Sequence, residues 1–155
     1  MKAKLKIVLA SVLVLVSLFS MLMLTGCEAM TEDADKAVKE FTTALANDDF
    51  DKVVELSHPS LNADAETLRE TFADLEKSLG VDFSDGFEYE SATGFRFVAS
   101  VNVQYGPHTE TILSYYVTIS GVKLELSVSV VNGVNGSGIT SCIFKNRVVG
   151  GVGDV

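Results

Sequence analysis

The stretch Val122-Lys123-Leu124-Glu125-Leu126-Ser127-Val128-Ser129-Val130 decides the fold, because apolar and polar residues alternate in it without exception. A period of two is the pattern of a β-strand with one face on a core and the other in water. Ser120-Gly121 precedes this stretch as a turn, and a Gly/Asn-rich loop is predicted over residues 132–138. The sequence therefore predicts a half-buried strand between two short connections.

The alternation extends to both sides of this strand. Apolar residues take every second position over residues 87–90, 95–105 and 113–119, with Gly106-Pro107-His108 as a turn, and a last strand is predicted near residues 139–145. The connections are too short for parallel crossovers, so the strands should be antiparallel. We predict a curved antiparallel sheet of about five strands with one apolar face.

Helical spacing precedes the sheet. Apolar residues recur three and four positions apart over residues 34–45, 50–56 and 68–79. Asp48 and Asp49 can cap the second helix, His58-Pro59 ends it, and Gly80 ends the third. Amphipathic helices followed by a one-faced sheet predict an α+β fold in which the helices cover the apolar face.

The order of these elements resembles the cone-shaped cystatin-like fold of the nuclear-transport-factor-2-like superfamily. The segments Ala34-Asp35-Lys36-Ala37-Val38 and Asp48-Asp49-Phe50-Asp51-Lys52-Val53, followed by Ser57-His58-Pro59, are similar to the N-terminal helix pair of small bacterial lipoproteins in that group. The resemblance covers about residues 33–147. It implies a short strand between the second and third helices, for which residues 60–62 are a poor match.

The N-terminus has the pattern of an export signal. Lys2, Lys4 and Lys6 precede 18 uncharged residues from Ile7 to Leu24. This run is longer than an ordinary signal core and approaches the roughly 20 residues that span a bilayer. Spacing alone leaves a cleaved signal and an uncleaved anchor open.

The next residues favour the cleaved signal. Leu24-Thr25-Gly26-Cys27 resembles the lipobox of bacterial lipoproteins, with an aliphatic residue, a small residue, Gly or Ala, and then Cys. The resemblance implies that Leu24, Thr25 and Gly26 are recognised by the signal peptidase and that Cys27 is diacylglycerated as the mature N-terminus. The partner implied is the membrane, bound through N-terminal diacylglyceryl and acyl groups.

These features divide the chain into four parts. Residues 1–26 are the predicted signal peptide, 27–33 a lipidated tether, 34–147 a single α+β domain and 148–155 a flexible tail. Basic residues before an apolar segment stay on the cytoplasmic side. We therefore expect a protein anchored by lipid in the bacterial cell membrane, with its domain on the extracytoplasmic side.

Charge is distributed unevenly along the 155 residues, whose formal net charge is −9. Residues 28–90 carry 18 acidic and 5 basic side chains, a net charge of −13, whereas residues 91–155 carry a net charge of +1. This balance argues against a nucleic-acid binder, which needs clustered Lys and Arg. A solvated acidic helix face is the simpler interpretation; repulsion from anionic lipid or attraction to a cationic partner is the functional one.

Candidate chemistry is sparse in the sequence. His58 and His108 are predicted to be solvated turn residues, and Cys142 a small buried apolar residue. Tyr89, Tyr105 and Tyr115 are expected in the core with polar tips. Asp48-Asp49-Phe50-Asp51 lacks the spacing of a calcium loop, and no phosphate-binding motif is present. We predict no catalytic residue, no cofactor and no metal.

The function that follows is a non-enzymatic binding or interaction module that uses the apolar sheet face or the open end of the cone. Its expected partner is a small apolar ligand or an envelope protein. One alternative is a small-molecule enzyme of the ketosteroid-isomerase type that uses the cone pocket. Another is a structural protein of the cell envelope.

Overall fold

Three helices precede the sheet in the computed structural model, which describes residues 31–147. Helix α1 occupies residues 31–46, α2 Phe50–Leu56 and α3 Ala65–Leu79. The predicted signal peptide, the lipobox residues Leu24 to Cys27 and the predicted tail lie outside the described residues. Helix α1 already includes residues 31–33, which the sequence assigns to the tether.

The helix boundaries follow from local capping. The Asp49 carboxylate accepts a hydrogen bond from the Lys52 N–H at 3.1 Å, and Asp64 accepts one from the Thr67 N–H at 2.9 Å. Gly80 ends α3 in the left-handed conformation, with φ of 69°. Asp48 does not cap α2; its carboxylate lies 3.5 Å from the Arg69 guanidinium.

The sheet has four strands rather than about five. They are β1 (Glu88–Asn102), β2 (Gly106–Ile119), β3 (Val122–Gly133) and β4 (Gly136–Asn146), antiparallel and in sequence order. Of the predicted segments 87–90 and 95–105, residues 88–90 and 95–102 lie in one strand, β1, which is irregular between Tyr89 and Ser91 and between Ala92 and Gly94. One extra residue at each bulge bends a strand without ending it.

Two predicted connections are also strands. Gly106, Pro107 and His108 begin β2, and the turn before them is at residues 103–105. Residues 136–138 begin β4. A proline is accommodated here because it stands near the start of its strand, where a missing N–H costs little.

The core lies between the helices and one face of the sheet, here called the core face. Among its fully buried side chains are Val117, Leu124, Leu126 and Val128 of the sheet, which belong to one cluster with Val38 of α1. Phe72 of α3 adds aromatic contacts, with ring centroids 6.0–6.3 Å from neighbouring phenylalanines. The α+β arrangement with helices packed on an antiparallel sheet is therefore confirmed.

The connection between α2 and α3 touches the edge of the sheet. Ser57 forms an isolated parallel bridge with Ile139 of β4, and the His58 N–H donates to the Ile139 carbonyl at 2.9 Å. The following residues, Pro59–Leu61, form a 3-10 helix. The strand-like contact is thus at Ser57, not at residues 60–62.

Candidate functional site

One part of the core face has no helix over it. Phe95 lies directly opposite Leu113 in the β1–β2 register, and opposed residues in an antiparallel pair share a face. Leu113 is 5% exposed and Phe95 is 51% exposed. Further along β1, Phe97 is 42% and Val101 is 74% exposed. Helix coverage of the core face therefore ends between β2 and this part of β1.

We call the four alternate residues Phe95, Phe97, Ala99 and Val101 the uncovered β1 surface. All four are exposed, and their partners in β2 are Leu113, Thr111, Thr109 and Pro107. The sequence places these side chains on the correct face. The expectation that the helices would cover that face is wrong for this part of β1.

The two bulges in β1 lie where the contacts with helix α1 end. Helix α1 is joined to β1 at Tyr89, whose hydroxyl lies 2.8 Å from the Thr42 hydroxyl, before the first bulge. It is joined to β2 where the Tyr115 hydroxyl donates to the Asp35 carboxylate at 2.7 Å. Beyond the bulges β1 continues past the helices, and its core-face side chains from Phe95 onward are exposed.

These contacts also set the charge state of the buried groups. Burial raises the pKa of Tyr89 to about 12, and burial together with the Asp35 carboxylate raises the pKa of Tyr115. Burial alone would raise the pKa of Asp35, but hydrogen bonds from Lys39 and Tyr115 lower it below its usual value. Tyr89 and Tyr115 are thus neutral core residues with bonded tips, as expected.

An open pocket of about 580 Å³ adjoins the uncovered β1 surface at the hairpin end of the sheet. Ala99, Val101, Pro107 and Val134 contribute apolar groups to its wall, and Ser100 and His108 are also among the residues that line it. The wall is mostly apolar. It is suited to an apolar group with few polar contacts.

His58 is buried, not solvated. It is 1% exposed, and its ring packs edge-on against Tyr105 at 4.9 Å. The Ser60 N–H donates to Nδ1, so the ring proton is on Nε2, which has no hydrogen-bond partner among the described residues. The prediction fails because Gly138 lets the chain approach closely: a Cβ there would be 2.7 Å from the His58 backbone nitrogen.

His108 is also buried, with 8% exposure, and the prediction of a solvated turn residue is wrong for it too. Its Nδ1 donates to the Gly106 carbonyl at 2.8 Å, and its Nε2 forms a hydrogen bond of 2.9 Å with the Ser100 hydroxyl. Gly133 makes room for it, because a Cβ there would lie 2.8 Å from the His108 Cβ. Register places Ser100 and His108 on the outer face, opposite to the uncovered β1 surface.

The remaining site residues named from the sequence do not form one constellation. Leu24, Thr25, Gly26 and Cys27 lie outside the described residues. Cys142 packs against the core, and burial raises the pKa of its thiol to about 12, as expected of an inert cysteine. Within residues 31–147, no group of three His, Cys, Asp or Glu side chains is arranged to hold a metal ion.

Sequence reasoning missed both the exposure of β1 and the burial of His58 and His108. A signal for the first is the stretch Ser91-Ala92-Thr93-Gly94, where the alternation of large apolar residues lapses before Phe95. Glycine inside a strand pattern indicates a bulge or a close approach of backbones. The same reasoning, applied to Gly133 and Gly138, would have indicated that other groups pack against them.

The part of the chain that the structure describes contains no helix long and apolar enough to span a membrane. Comparison with known proteins found no family model, no curated protein and no solved structure that matches this chain.

The helices and the sheet define the class of the fold, which is an α+β domain with three helices on a four-stranded antiparallel sheet.

Proposed function

We propose that this protein is a lipid-anchored, extracytoplasmic binding module without enzymatic activity, and that the uncovered β1 surface is its binding surface. The exposed row of Phe95, Phe97 and Val101 beside the pocket carries this proposal. Scattered exposed apolar residues are ordinary, whereas an adjoining row that continues a core face is typical of a surface with a partner. The ligand class is an apolar molecule or an apolar segment of an envelope protein.

The anchor part of the proposal rests on Leu24-Thr25-Gly26-Cys27 and the apolar run before it. Cleavage before Cys27 and acylation would hold the domain at the bacterial cell membrane. Two or more acyl chains suffice for stable attachment, whereas one chain gives marginal binding. Intact mass of the membrane-extracted protein tests this: lipidated protein beginning at Cys27 is expected, and an unmodified chain that retains residues before Gly26 would refute it.

We further infer that the fold is the cystatin-like cone. Support comes from the helices packed on one face, the long bent β1 and the contact of Ser57 with the edge of β4. In such an arrangement the uncovered β1 surface would form part of the open end of the cone.

Binding of an apolar probe tests the surface itself. The full-length protein, in mild detergent below its micelle concentration, is titrated with N-phenyl-1-naphthylamine, whose fluorescence rises in apolar sites. The double variant Phe95→Ser/Phe97→Ser should lose most of the signal. Ile143→Ser is the matched control, because Ile143 is 48% exposed and pairs with Ser127 on the outer face. Equal losses in both variants would refute the assignment of the surface.

One observation favours an enzyme as the second candidate. The Ser100 hydroxyl donates to a histidine whose other ring nitrogen is fixed by a carbonyl, which is the arrangement of an activated serine nucleophile. Ser100 would attack an ester carbonyl as its proton passes to Nε2 of His108 and on to the leaving alcohol. Water would then release the acid.

A chromogenic ester and a fluorophosphonate label test this second candidate. It requires hydrolysis and labelling that Ser100→Ala abolishes and Ser114→Ala retains, since Ser114 also lies on the outer face, bonded to Ser127 at 2.8 Å. The non-enzymatic proposal requires that neither variant differ from the parent protein.

A further inference from the structure

We infer that the free edge of β1 pairs in antiparallel fashion with β1 of a second copy of this chain, so that two four-stranded sheets join into one. This pairing goes beyond the proposed function, because it uses the edge of β1 and leaves the uncovered β1 surface open. It is supported by the unprotected edge, by a regular segment of β1 centred on Val98, and by the distribution of charge.

The two edges of the sheet differ in what lies beside them. At the β4 edge, Ser57 forms a bridge with Ile139, and the His58 N–H donates to the Ile139 carbonyl. At the β1 edge, no strand within residues 31–147 pairs with the side of β1 that faces away from β2. Every second residue of an edge strand directs its N–H and C=O groups away from the sheet. β1 therefore offers a row of hydrogen-bonding groups to another strand.

β1 also lacks the features that keep an edge strand from pairing. Natural sheets protect their edges with short strands, prolines, lysines or bulges. β1 is 15 residues long and contains no proline, and both of its irregularities come before Gly94. From Gly94 to Asn102 its only charged residue is Arg96. This segment is thus open to addition of a strand.

The regular segment of β1 is suited to pairing with itself. It runs from Gly94 to Asn102 with no shift in its register with β2, and Val98 is its central residue. When two identical segments are paired antiparallel about Val98, they overlap along their whole length. The resulting interface is isologous, so that each contact is made twice.

This register also matches the uncovered β1 surfaces of the two copies. Directly opposed residues of an antiparallel pair share a face. With Val98 at the centre, Phe95 lies opposite Val101 of the second copy, and Phe97 lies opposite its Ala99. Every residue of the uncovered β1 surface is therefore opposed to an apolar residue of the same surface.

The helices leave room for the pairing. The twofold axis between the two β1 strands is normal to the sheet, so the core faces of both copies lie on the same side. The two strands are about 5 Å apart, and their core-face side chains over residues 95–101 are exposed rather than covered by helices. Helix α1 contacts β1 at Tyr89, outside the paired segment. The two uncovered β1 surfaces then form one continuous apolar surface, which remains accessible to a ligand.

Charge favours contact between copies at β1. Residues 28–90 carry a net charge of −13, so two copies repel each other through their helices, whereas residues 91–109 contain no Asp or Glu. In the register centred on Val98, Arg96 lies opposite Ser100 of the second copy, so that no like charges are directly opposed. β1 is thus a surface at which two acidic copies can meet with little repulsion.

The exposed area is sufficient for a reversible dimer. From Ser91 to Gln104 every residue except Val98 is exposed. Pairing over nine residues would bury on the order of 600 Å² on each copy, which is near the lower limit of specific interfaces, about 1,200 Å² in total. We therefore expect a dimer in equilibrium with its monomer.

Disulfide trapping of the full chain in mild detergent tests the pairing. Val98→Cys would bring two thiols together at the twofold axis, since opposed Cα atoms lie about 4.5–5.5 Å apart, within the range of a disulfide. Ile143→Cys, on the outer face of β4, is the matched control for random collisions. The parent protein shows what Cys27 and Cys142 contribute. Each protein is oxidised with copper phenanthroline, and the dimer is quantified by non-reducing electrophoresis.

We expect at least fivefold more disulfide-linked dimer from Val98→Cys than from Ile143→Cys. Adding Val101→Glu to Val98→Cys should reduce the yield at least threefold, because a carboxylate then faces Phe95 of the second copy. Val101 is 74% exposed, so this change leaves the core intact. Adding Ile143→Glu instead should leave the yield unchanged.

Equal dimer yields from Val98→Cys and Ile143→Cys would overturn the inference, and so would a yield that Val101→Glu does not reduce. Dimers that already form in the parent protein would come from an unlipidated Cys27 and would count against the anchor of the proposed function. The excess of dimer in Val98→Cys over the parent protein still decides the pairing of β1 in that case.

Discussion

Phe95 and Leu113 face each other across β1 and β2 on the same side of the sheet, yet one is half exposed and the other is buried. The difference marks the line at which helix packing ends. Residues on both sides of that line have the sequence pattern of a core. Only those on one side have a core to pack into, and the others are available for a partner.

Substitutions on the two sides of this line should differ sharply in stability. Phe97 is 42% exposed, so Phe97→Ser removes only part of the buried surface that a core phenylalanine would lose, and the free energy of unfolding should fall by about 1 kcal/mol. Leu113→Ala removes a buried side chain and should cost about 2–5 kcal/mol. Urea unfolding followed by circular dichroism measures both. Similar losses in the two variants would mean that Phe97 is packed in the core.

The hydrogen bond from Tyr115 to Asp35 should contribute to the attachment of α1. Tyr115→Phe keeps the ring and removes the hydroxyl, and the expected cost is about 1 kcal/mol, since the Asp35 carboxylate remains partly solvated. Tyr116→Phe is the control, because the ring that lies under Arg147 is retained. Equal unfolding midpoints in urea for wild type and Tyr115→Phe would contradict this role.

Alkaline pH should weaken the fold through the same contacts. The pKa of Tyr89 is raised to about 12, against an ordinary value of about 10. The folded state thus favours the neutral phenol, and this contribution is fully present below pH 10 and is lost as the pH rises towards 12. Tyr115 acts in the same direction. The free energy of unfolding should fall between pH 10 and pH 12, and it should fall less steeply in Tyr89→Phe than in the wild type. Parallel curves of unfolding free energy against pH for the two proteins would show that Tyr89 ionises freely.

The close approach of Ser57 and His58 to β4 depends on a missing side chain. Gly138→Ala would place a Cβ 2.7 Å from backbone atoms of both residues, and we expect a loss of about 1–3 kcal/mol from the forced separation, in addition to backbone strain. Gly121→Ala is the control, because its φ is also positive while its surroundings are open. Equal melting temperatures for Gly138→Ala and Gly121→Ala would contradict the close packing.

Thiol counting tests the anchor and the core together. Cys142 is partly buried against the core and the pKa of its thiol is raised, so it should not react with Ellman's reagent in the native protein near pH 8. A lipidated Cys27 has no free thiol. The mature protein should therefore show no reactive thiol when native and one when unfolded. Two thiols after unfolding would mean that Cys27 is unmodified.

Local signals in the sequence were sufficient for the elements and their order. Asp49 begins α2 and Gly80 ends α3 through capping interactions with residues close by in the chain. The alternation from Val122 to Val130 fixes a strand and its two faces. The boundary between covered and uncovered surface was not accessible in this way, because it depends on where α1 lies on a bent sheet. The burial of His58 and His108 could not be predicted from local signals either, because it depends on close approach to Gly138 and Gly133.

Photo-crosslinking in intact cells tests the central claim, that the uncovered β1 surface is where this protein meets its partner. The photoreactive residue p-benzoylphenylalanine replaces Phe97 in one full-length variant and Ile143 in another, and the cells are irradiated before extraction. Adducts at position 97, with few or none at position 143, are the predicted result. Equal labelling at the two positions, or adducts at position 143 alone, would contradict the account.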